Sequence, residues 1–172
     1  KLGRIESLRF VRRSTRQPSN GNNVIESLGV HGIDLLCHLL GEVEPSAVNV
    51  EGDEIESRVI LEYPHGIEAL IDVAWNATNE NRSVTIIGSN AKLIFDLSNH
   101  RSAKLYKDGN EYILQCENKL SPLEAEIRHM IEGINALEAG TTWSPNPSPG
   151  AVLRGVRWTV KAIAAMPHVR PH

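Results

Sequence analysis

The segment from Val59 to Trp75 constrains the fold most. Val59 to Tyr63 and Ile67 to Trp75 are two β-rich runs flanking Pro64-His65-Gly66, the pattern of a hairpin with a short loop. In the second run Ile67, Ala69, Ile71, Val73 and Trp75 share one face, and Glu68, Leu70, Asp72 and Ala74 share the other. The motif repeats downstream. Val84 to Gly88 and Leu93 to Asp96 flank Ser89-Asn90-Ala91; Leu105-Tyr106 and Tyr112 to Leu114 flank Asp108-Gly109, a strong tight-turn pair. Ile5 to Thr15, with Leu8 and Phe10 on one face, and Ala47 to Val50 read as further strands. Successive hairpins predict a mainly antiparallel sheet.

Three segments switch to helical periodicity. Asn23 to Gly41 places Val24, Leu28, Leu35 and Leu39 on one side, with Gly41 as the stop. Ser121-Pro122-Leu123-Glu124 is a capping box with proline at the first helical position. Leu123, Ile127, Met130, Ile131, Ile134 and Leu137 follow as its apolar stripe, and Gly140 is the C-cap candidate. Val152 to Met166 forms the last helix, stopped before Pro167. Together these predict an α+β domain: a predominantly antiparallel open sheet with helices packed on one face. A length of 172 residues suffices for one domain, 1–172, with its own core.

Several function classes drop out. A net charge of −3 argues against a nucleic-acid footprint, and the cluster Arg9, Arg12, Arg13 and Arg16 has only Phe10 among it, as in a solvated strand edge. No apolar run is long enough to span a membrane. Cys37 and Cys116 form no Cys-x-x-Cys pair, which removes zinc-ribbon and thiol-redox readings; two free thiols fit a reducing cytoplasm. No glycine-rich turn joins a strand to a helix, so neither the dinucleotide fingerprint nor a P-loop is present. The opening Lys1-Leu2-Gly3-Arg4-Ile5 reads like mid-protein sequence, so a fragment is expected.

The first helix carries the chemistry. Ser27, His31, Asp34 and His38 recur at i, i+4, i+7 and i+11, a polar stripe roughly 60° wide at about 100° per residue. It holds none of the long charged side chains of a solvated face. Gly29 and Gly32 sit inside the helix, as where a ligand or another backbone approaches. The stripe reads as the lining of a cleft, the alternative being satisfied polar groups in a buried helix. Acid–base work by His31 suits neutral pH, and short polar side chains suit a sugar or polyol. Metal binding is disfavoured, because His31 and His38 are about 10 Å apart along the axis. Trp75 and Asn76, at a strand end, border the pocket or are ordinary strand-end residues. Arg12 and Arg13 are candidates for a phosphate or nucleotide-sugar group.

The ordered set Gly21, Val24-Ile25, His31, Ile33-Asp34-Leu35 and Leu39-Leu40-Gly41 resembles the start of the C-terminal domain in the glucose–fructose oxidoreductase/inositol dehydrogenase/MocA family. Val84 to Gly88 with Leu93 to Asp96, Pro122-Leu123-Glu124 with Glu126, and the helix from Gly150 to Ala164 extend the resemblance over nearly the whole chain. The resemblance implies a fold like the C-terminal domain of glyceraldehyde-3-phosphate dehydrogenase. It implies an NAD- or NADP-binding Rossmann domain that is not in this chain, so the chain alone is expected to bind neither cofactor. It also implies a substrate site and an oligomer interface here. His31 corresponds to the motif histidine of acid–base catalysis, and Asp34 to a substrate ligand; Ser27 stands where an aspartate is usual and Asn23 where a glycine is common.

The sequence thus yields two functional expectations. One is the substrate-binding and oligomerisation domain of an NAD(P)-dependent sugar, polyol or nucleotide-sugar oxidoreductase, with His31 catalytic and Asp34, Ser27, Arg13, Trp75 and Asn76 at the substrate. The other is a non-catalytic sugar-binding or oligomerisation module on the same fold. Apolar residues on both strand faces, Ile60 against Val59 and Leu61, and Leu70 against Ile71 and Val73, predict a homo-oligomer through the open sheet face. Glu68 and Asp72 on that face count against it, since charge is depleted from interface cores.

Overall fold

The computed structural model describes residues 1–18, 22–99, 101–115 and 120–167. Cys116 and Gly21 lie outside them. The described residues form one eight-stranded sheet and three helices. The strands are β1 (Ile5–Arg13), β2 (Ala47–Gly52), β3 (Glu56–Tyr63), β4 (Ile67–Ala74), β5 (Asn81–Gly88), β6 (Lys92–Asp96), β7 (Ser102–Lys107) and β8 (Asn110–Gln115). Their order across the sheet is β2-β3-β4-β1-β5-β6-β7-β8.

The three expected hairpins form, joining β3 to β4, β5 to β6 and β7 to β8. What local pattern could not place is β1. It enters between β4 and β5, antiparallel to β5 and parallel to β4, the one parallel pair of the sheet. A parallel neighbour needs a crossover, and here the first helix with β2 and β3 supplies it.

That helix begins with a π-helical turn, Ile25–Gly29, and continues without a break into α1 (Val30–Leu39). Asn23 Oδ1 accepts from the Glu26 amide at 2.8 Å, and Gly41 ends the helix in the left-handed region at φ 69°. The π turn departs from the regular helix expected over this stretch; such turns concentrate at functional sites. Gly32 seats α1 on the sheet: a Cβ there would lie 2.5 Å from the Phe10 ring and 2.9 Å from Ile71. Helix α1 packs over β1 and β4, burying Ile33, Leu36 and Cys37. Burial pushes the Cys37 thiol pKa up, so this cysteine packs as an apolar residue.

Helix α2 (Pro122–Glu138) opens on the expected capping box, with Ser121 N donating to Glu124 Oε2 at 2.7 Å and Glu124 N to Ser121 Oγ at 3.3 Å. Its apolar stripe remains exposed along its length, including Leu123, Ile127, Met130 and Ile134. Its one buried residue, Gly133, meets Trp143, which also packs on His129. The helical layer is therefore α1 with α3 (Pro149–Ala165). Helix α3 buries Ala151, Arg154, Gly155, Trp158, Thr159 and Ala162, an i, i+3, i+4 stripe. Arg154 donates to the Gly41 carbonyl and pairs with Glu42 at 2.8 Å, and Trp158 Nε1 donates to Glu44 at 2.8 Å. These contacts pin the segment leaving α1 under α3. The core lies between these two helices and strands β1, β3, β4 and β5. Strand β8 is exposed along its whole length.

Candidate functional site

Strands β1 and β4 run parallel, so their C-terminal ends emerge together. The segments that follow are tied to each other. Ser14 N donates to Ala74 O at 2.8 Å, Asn76 N to Arg16 O at 3.1 Å and Ala77 N to Ser14 O at 2.9 Å. Glu80 locks the corner: its Oε1 accepts from Ser14 Oγ at 2.9 Å, Thr15 N at 2.8 Å and Thr15 Oγ1 at 3.1 Å. These hydrogen bonds, that from the Thr15 amide foremost, hold the Glu80 pKa down at about 2.

The start of the first helix stands over this end of the sheet. Gly29 faces Val73, and Gly32 faces Phe10 and Ile71. His31 is exposed on α1. Desolvation lowers its pKa, the nearby Arg12 guanidinium lowers it further, and Asp34 opposes both. The imidazole is thereby held neutral at neutral pH, the state in which it accepts a proton. Arg12 reaches His31 because β1 alternates: Leu8, Phe10 and Arg12 share the helix face. Directly across from Arg12 on β5 is Arg82, in register and on the same face.

The structure sorts the expected site residues. His31 and Asp34 stay within electrostatic reach of each other on α1. Asp34 is half-buried against α3: its Oδ1 lies 2.8 Å from where a Cβ at Gly155 would stand. With His38 it borders a depression walled by Asn146 and Pro147. The polar stripe is thus shared between two environments. Ser27 lies in the π turn, and its buried Oγ has no hydrogen-bond partner among the described residues. Trp75 packs against the core with a buried, likewise unpartnered Nε1. Asn76 turns the chain beside it at φ 53°.

Arg13 is separated from this group. It lies on the opposite sheet face, where its guanidinium donates to Asp72 Oδ1 at 2.8 and 3.0 Å and to Glu56 at 2.6 Å. Arg9 pairs with the other Asp72 oxygen at 2.9 Å. The side chains on the His31 side are Arg12 and Arg82. Strand parity carried that signal, because Arg12 shares it with Leu8 and Phe10, and Arg82 shares it with Val84 and Ile86.

A cleft of about 570 Å³ lies elsewhere, among Asn23, the turn Asp53–Ile55 and the end of α3 at Ile163 and Met166. None of His31, Asp34, Ser27, Arg12, Arg13 or Trp75 is among the residues that line it. Among the described residues no three His, Cys, Asp or Glu side chains converge as metal ligands, and no helix is long and apolar enough to cross a membrane.

No curated protein matches the sequence significantly. Solved structures do match in fold. A UDP-N-acetylglucosamine 3-dehydrogenase from Acidithiobacillus ferrooxidans aligns with a TM-score of 0.79 at 20% identity, over 96% of this chain and 54% of its own. An aldose-aldose oxidoreductase from Caulobacter crescentus, complexed with glycerol, aligns at 0.74 and 16% identity, over 95% of this chain and 53% of its own. A 3-ketoreductase variant from Actinomadura kijaniata, in complex with TDP-benzene and NADP, aligns at 0.72 and 13% identity, over 95% and 53% respectively. The chain therefore spans about half the length of the structures it matches. The GFO/IDH/MocA C-terminal domain family matches residues 1–94, more than half of the sequence. With the open sheet, the α1 motif and this match in agreement, the chain belongs to the GFO/IDH/MocA C-terminal domain family.

Proposed function

We propose that this domain is the substrate-binding half of an NAD(P)-dependent oxidoreductase acting on a hydroxyl of a sugar, polyol or nucleotide sugar. The observation that carries the reading is His31, an exposed imidazole held in its neutral form beside Asp34. Oxidation of a secondary alcohol removes a proton from oxygen and a hydride from carbon. His31 takes the proton; its accessible ring and depressed pKa suit that role. Asp34, one turn along, is placed to hold a neighbouring hydroxyl and to stabilise the imidazolium once formed. The sequence offers no glycine-rich turn to cradle a dinucleotide. The cofactor, NAD or NADP, therefore belongs to a separate domain and would supply the hydride acceptor; this chain alone would bind neither. The assignment of sugar-type substrates is supported by the sugar and nucleotide-sugar enzymes among the solved structures.

In the protein joined to its cofactor domain, His31→Ala should lower kcat by about 10²–10⁴ with the circular dichroism spectrum unchanged. Unchanged turnover would refute the catalytic role and favour a non-catalytic sugar-binding module. Ser27, with no carboxylate to support His31, is the observation on that module's side.

Assembly through the open sheet face is part of the same proposal. That face carries Val11, Ile60, Leu70 and Ile94, and its buried charge, Asp72, is already matched by Arg9 and Arg13. Light scattering at high micromolar concentration should give at least a dimer; a monomer would refute it. A buried free thiol at Cys37 fits a cytoplasmic setting.

A further inference from the structure

We propose that the wall formed by β1 and β5 beside His31 binds a phosphate or diphosphate ester of a sugar, through Arg12 and Arg82. The proposal rests on the substrate-site reading above and narrows it to an anionic substrate. Its starting point is a charge imbalance. Arg12 and Arg82 are register partners on antiparallel strands, which sets their Cβ atoms about 4.5–5.5 Å apart. Like charges placed directly opposite each other weaken a strand pair. Arg16, on the segment after β1, lies within electrostatic reach as a third cation.

The carboxylate close to all this is Glu80, and it is mostly committed. Its Oε1 already accepts three hydrogen bonds from Ser14 and Thr15, while Oε2 reaches Arg82 only at 3.5 Å. The Arg12 side chain makes no ion pair or hydrogen bond among the described residues. Burial disfavours its charge, Arg82 and Arg16 disfavour it again, and Glu80 alone offsets them in part. On the other face of the same strand Arg9 and Arg13 both find Asp72, so unmatched guanidinium is not a general property of β1.

Two guanidinium forks side by side offer more donors than one carboxylate can accept. A phosphate has at least three acceptor oxygens and up to two charges, and pairs with arginine in bidentate fashion. With His31 in electrostatic contact with Arg12, an ester bound there would present its sugar hydroxyls along α1 toward His31 and Asp34.

The test is calorimetric titration of the 172-residue chain with glucose 1-phosphate, UDP-glucose, glucose, glucuronate, inorganic phosphate and NADP. At least one of the two esters should bind tenfold or more tightly than glucose, and less tightly as salt rises. Arg12→Gln should weaken that binding by about tenfold or more, with Arg12→Lys intermediate. Arg9→Gln, on the opposite face, should leave it unchanged. Circular dichroism of each variant separates lost binding from lost fold.

The proposal is overturned if neither ester binds, if glucose binds equally, or if Arg12→Gln has no effect. Glucuronate binding as tightly as the esters would overturn it in favour of a carboxylate site. Inorganic phosphate doing so would leave only a bare anion trap. Arg12-dependent binding of NADP alone would assign the wall to the cofactor. The dehydrogenase reading fails separately: ester binding that depends on Arg12, in a protein whose turnover ignores His31→Ala, would remove the catalysis and keep the site.

Discussion

Adjacent arginines on β1 end in opposite electrostatic settings. Arg13 points to the open face of the sheet and is held by Asp72 and Glu56. Arg12 lies on the helix face within electrostatic reach of Arg82, Arg16 and His31, with Glu80 as counter-charge. The open face is electrostatically closed. Asp72, only 4% exposed, receives two guanidiniums, and a buried carboxylate so matched serves structure. The helix face is left with excess positive charge where the first helix starts.

Asp72→Ala should give the largest stability effect, because it undoes the closed face. Loss of one member of a fully buried ion pair costs about 3–5 kcal/mol. Here Arg9 and Arg13 can rehydrate, their side chains being 51% and 33% exposed, so about 2 kcal/mol is expected. Chemical denaturation measures it. Phosphate-ester affinity should not move; if it falls along with stability, the two faces are not independent.

Gly32→Ala breaks the other face. Its new Cβ meets the Phe10 ring at 2.5 and 2.8 Å and Ile71 at 2.9 Å, so α1 must lift from β1. Overpacking of this kind costs about 1–3 kcal/mol, against about 1 kcal/mol gained in helix propensity. A net loss of about 1 kcal/mol is expected, together with reduced His31 function, since His31 is the adjoining residue. Stabilisation would show that α1 is not seated as described.

How much of this the sequence disclosed follows from the range of each interaction. Hairpins are local, and the turns at Pro64 to Gly66, Ser89 to Ala91 and Asp108-Gly109 disclosed three of them. The insertion of β1 between β4 and β5 is a pairing across more than fifty residues, set by the crossover and by no short motif. The α1 motif located His31 and Asp34. It could not disclose that the helix starts with a π turn, nor that Asp34 leans on Gly155, a residue of α3. Arg12 and Arg13 were both candidates by type, and type does not specify a face. Strand parity with Leu8 and Phe10 does, and it puts Arg12 on the face of α1. The stripe of α2 shows the converse limit: an apolar pattern predicts a helix correctly and does not guarantee that the face is covered.

Glu80 links the two loops at the site's edge, and its effect is read in pH. Its folded pKa, about 2, lies below the value of about 4.3 for an unfolded glutamate. The stabilising contribution is therefore complete above about pH 5 and is lost as pH falls through about 4.3 toward 2. Glu80→Gln should flatten the melting-temperature profile in that window and leave it unchanged at pH 7–8. An unaltered acid limb would show that the hydrogen bonds from Ser14 and Thr15 do not favour the ionised form.

The smallest expected effect bears most directly on the comparison, because it uses His31 as a reporter of each arginine. Burial and Arg12 depress the His31 pKa, and Asp34 raises it. A histidine depressed in this way disfavours the protonated folded state, so its contribution to stability is present above about pH 6.5 and is lost as pH falls below that value. Arg12→Gln removes one depressing charge, so the His31 pKa should rise, and the population of neutral base at pH 7 should fall. Asp34→Asn should move it down. Arg13→Gln removes the same charge type one residue along the chain, but from the opposite face and out of an existing pair with Asp72. Its effect on His31 should be smaller than that of Arg12→Gln. Imidazole resonances followed by NMR through the titration give all three. Equal shifts from Arg12→Gln and Arg13→Gln would mean that His31 senses the net charge of the sheet, not the guanidinium on its own side, and the distinction between the faces would fail at the residue proposed as the base.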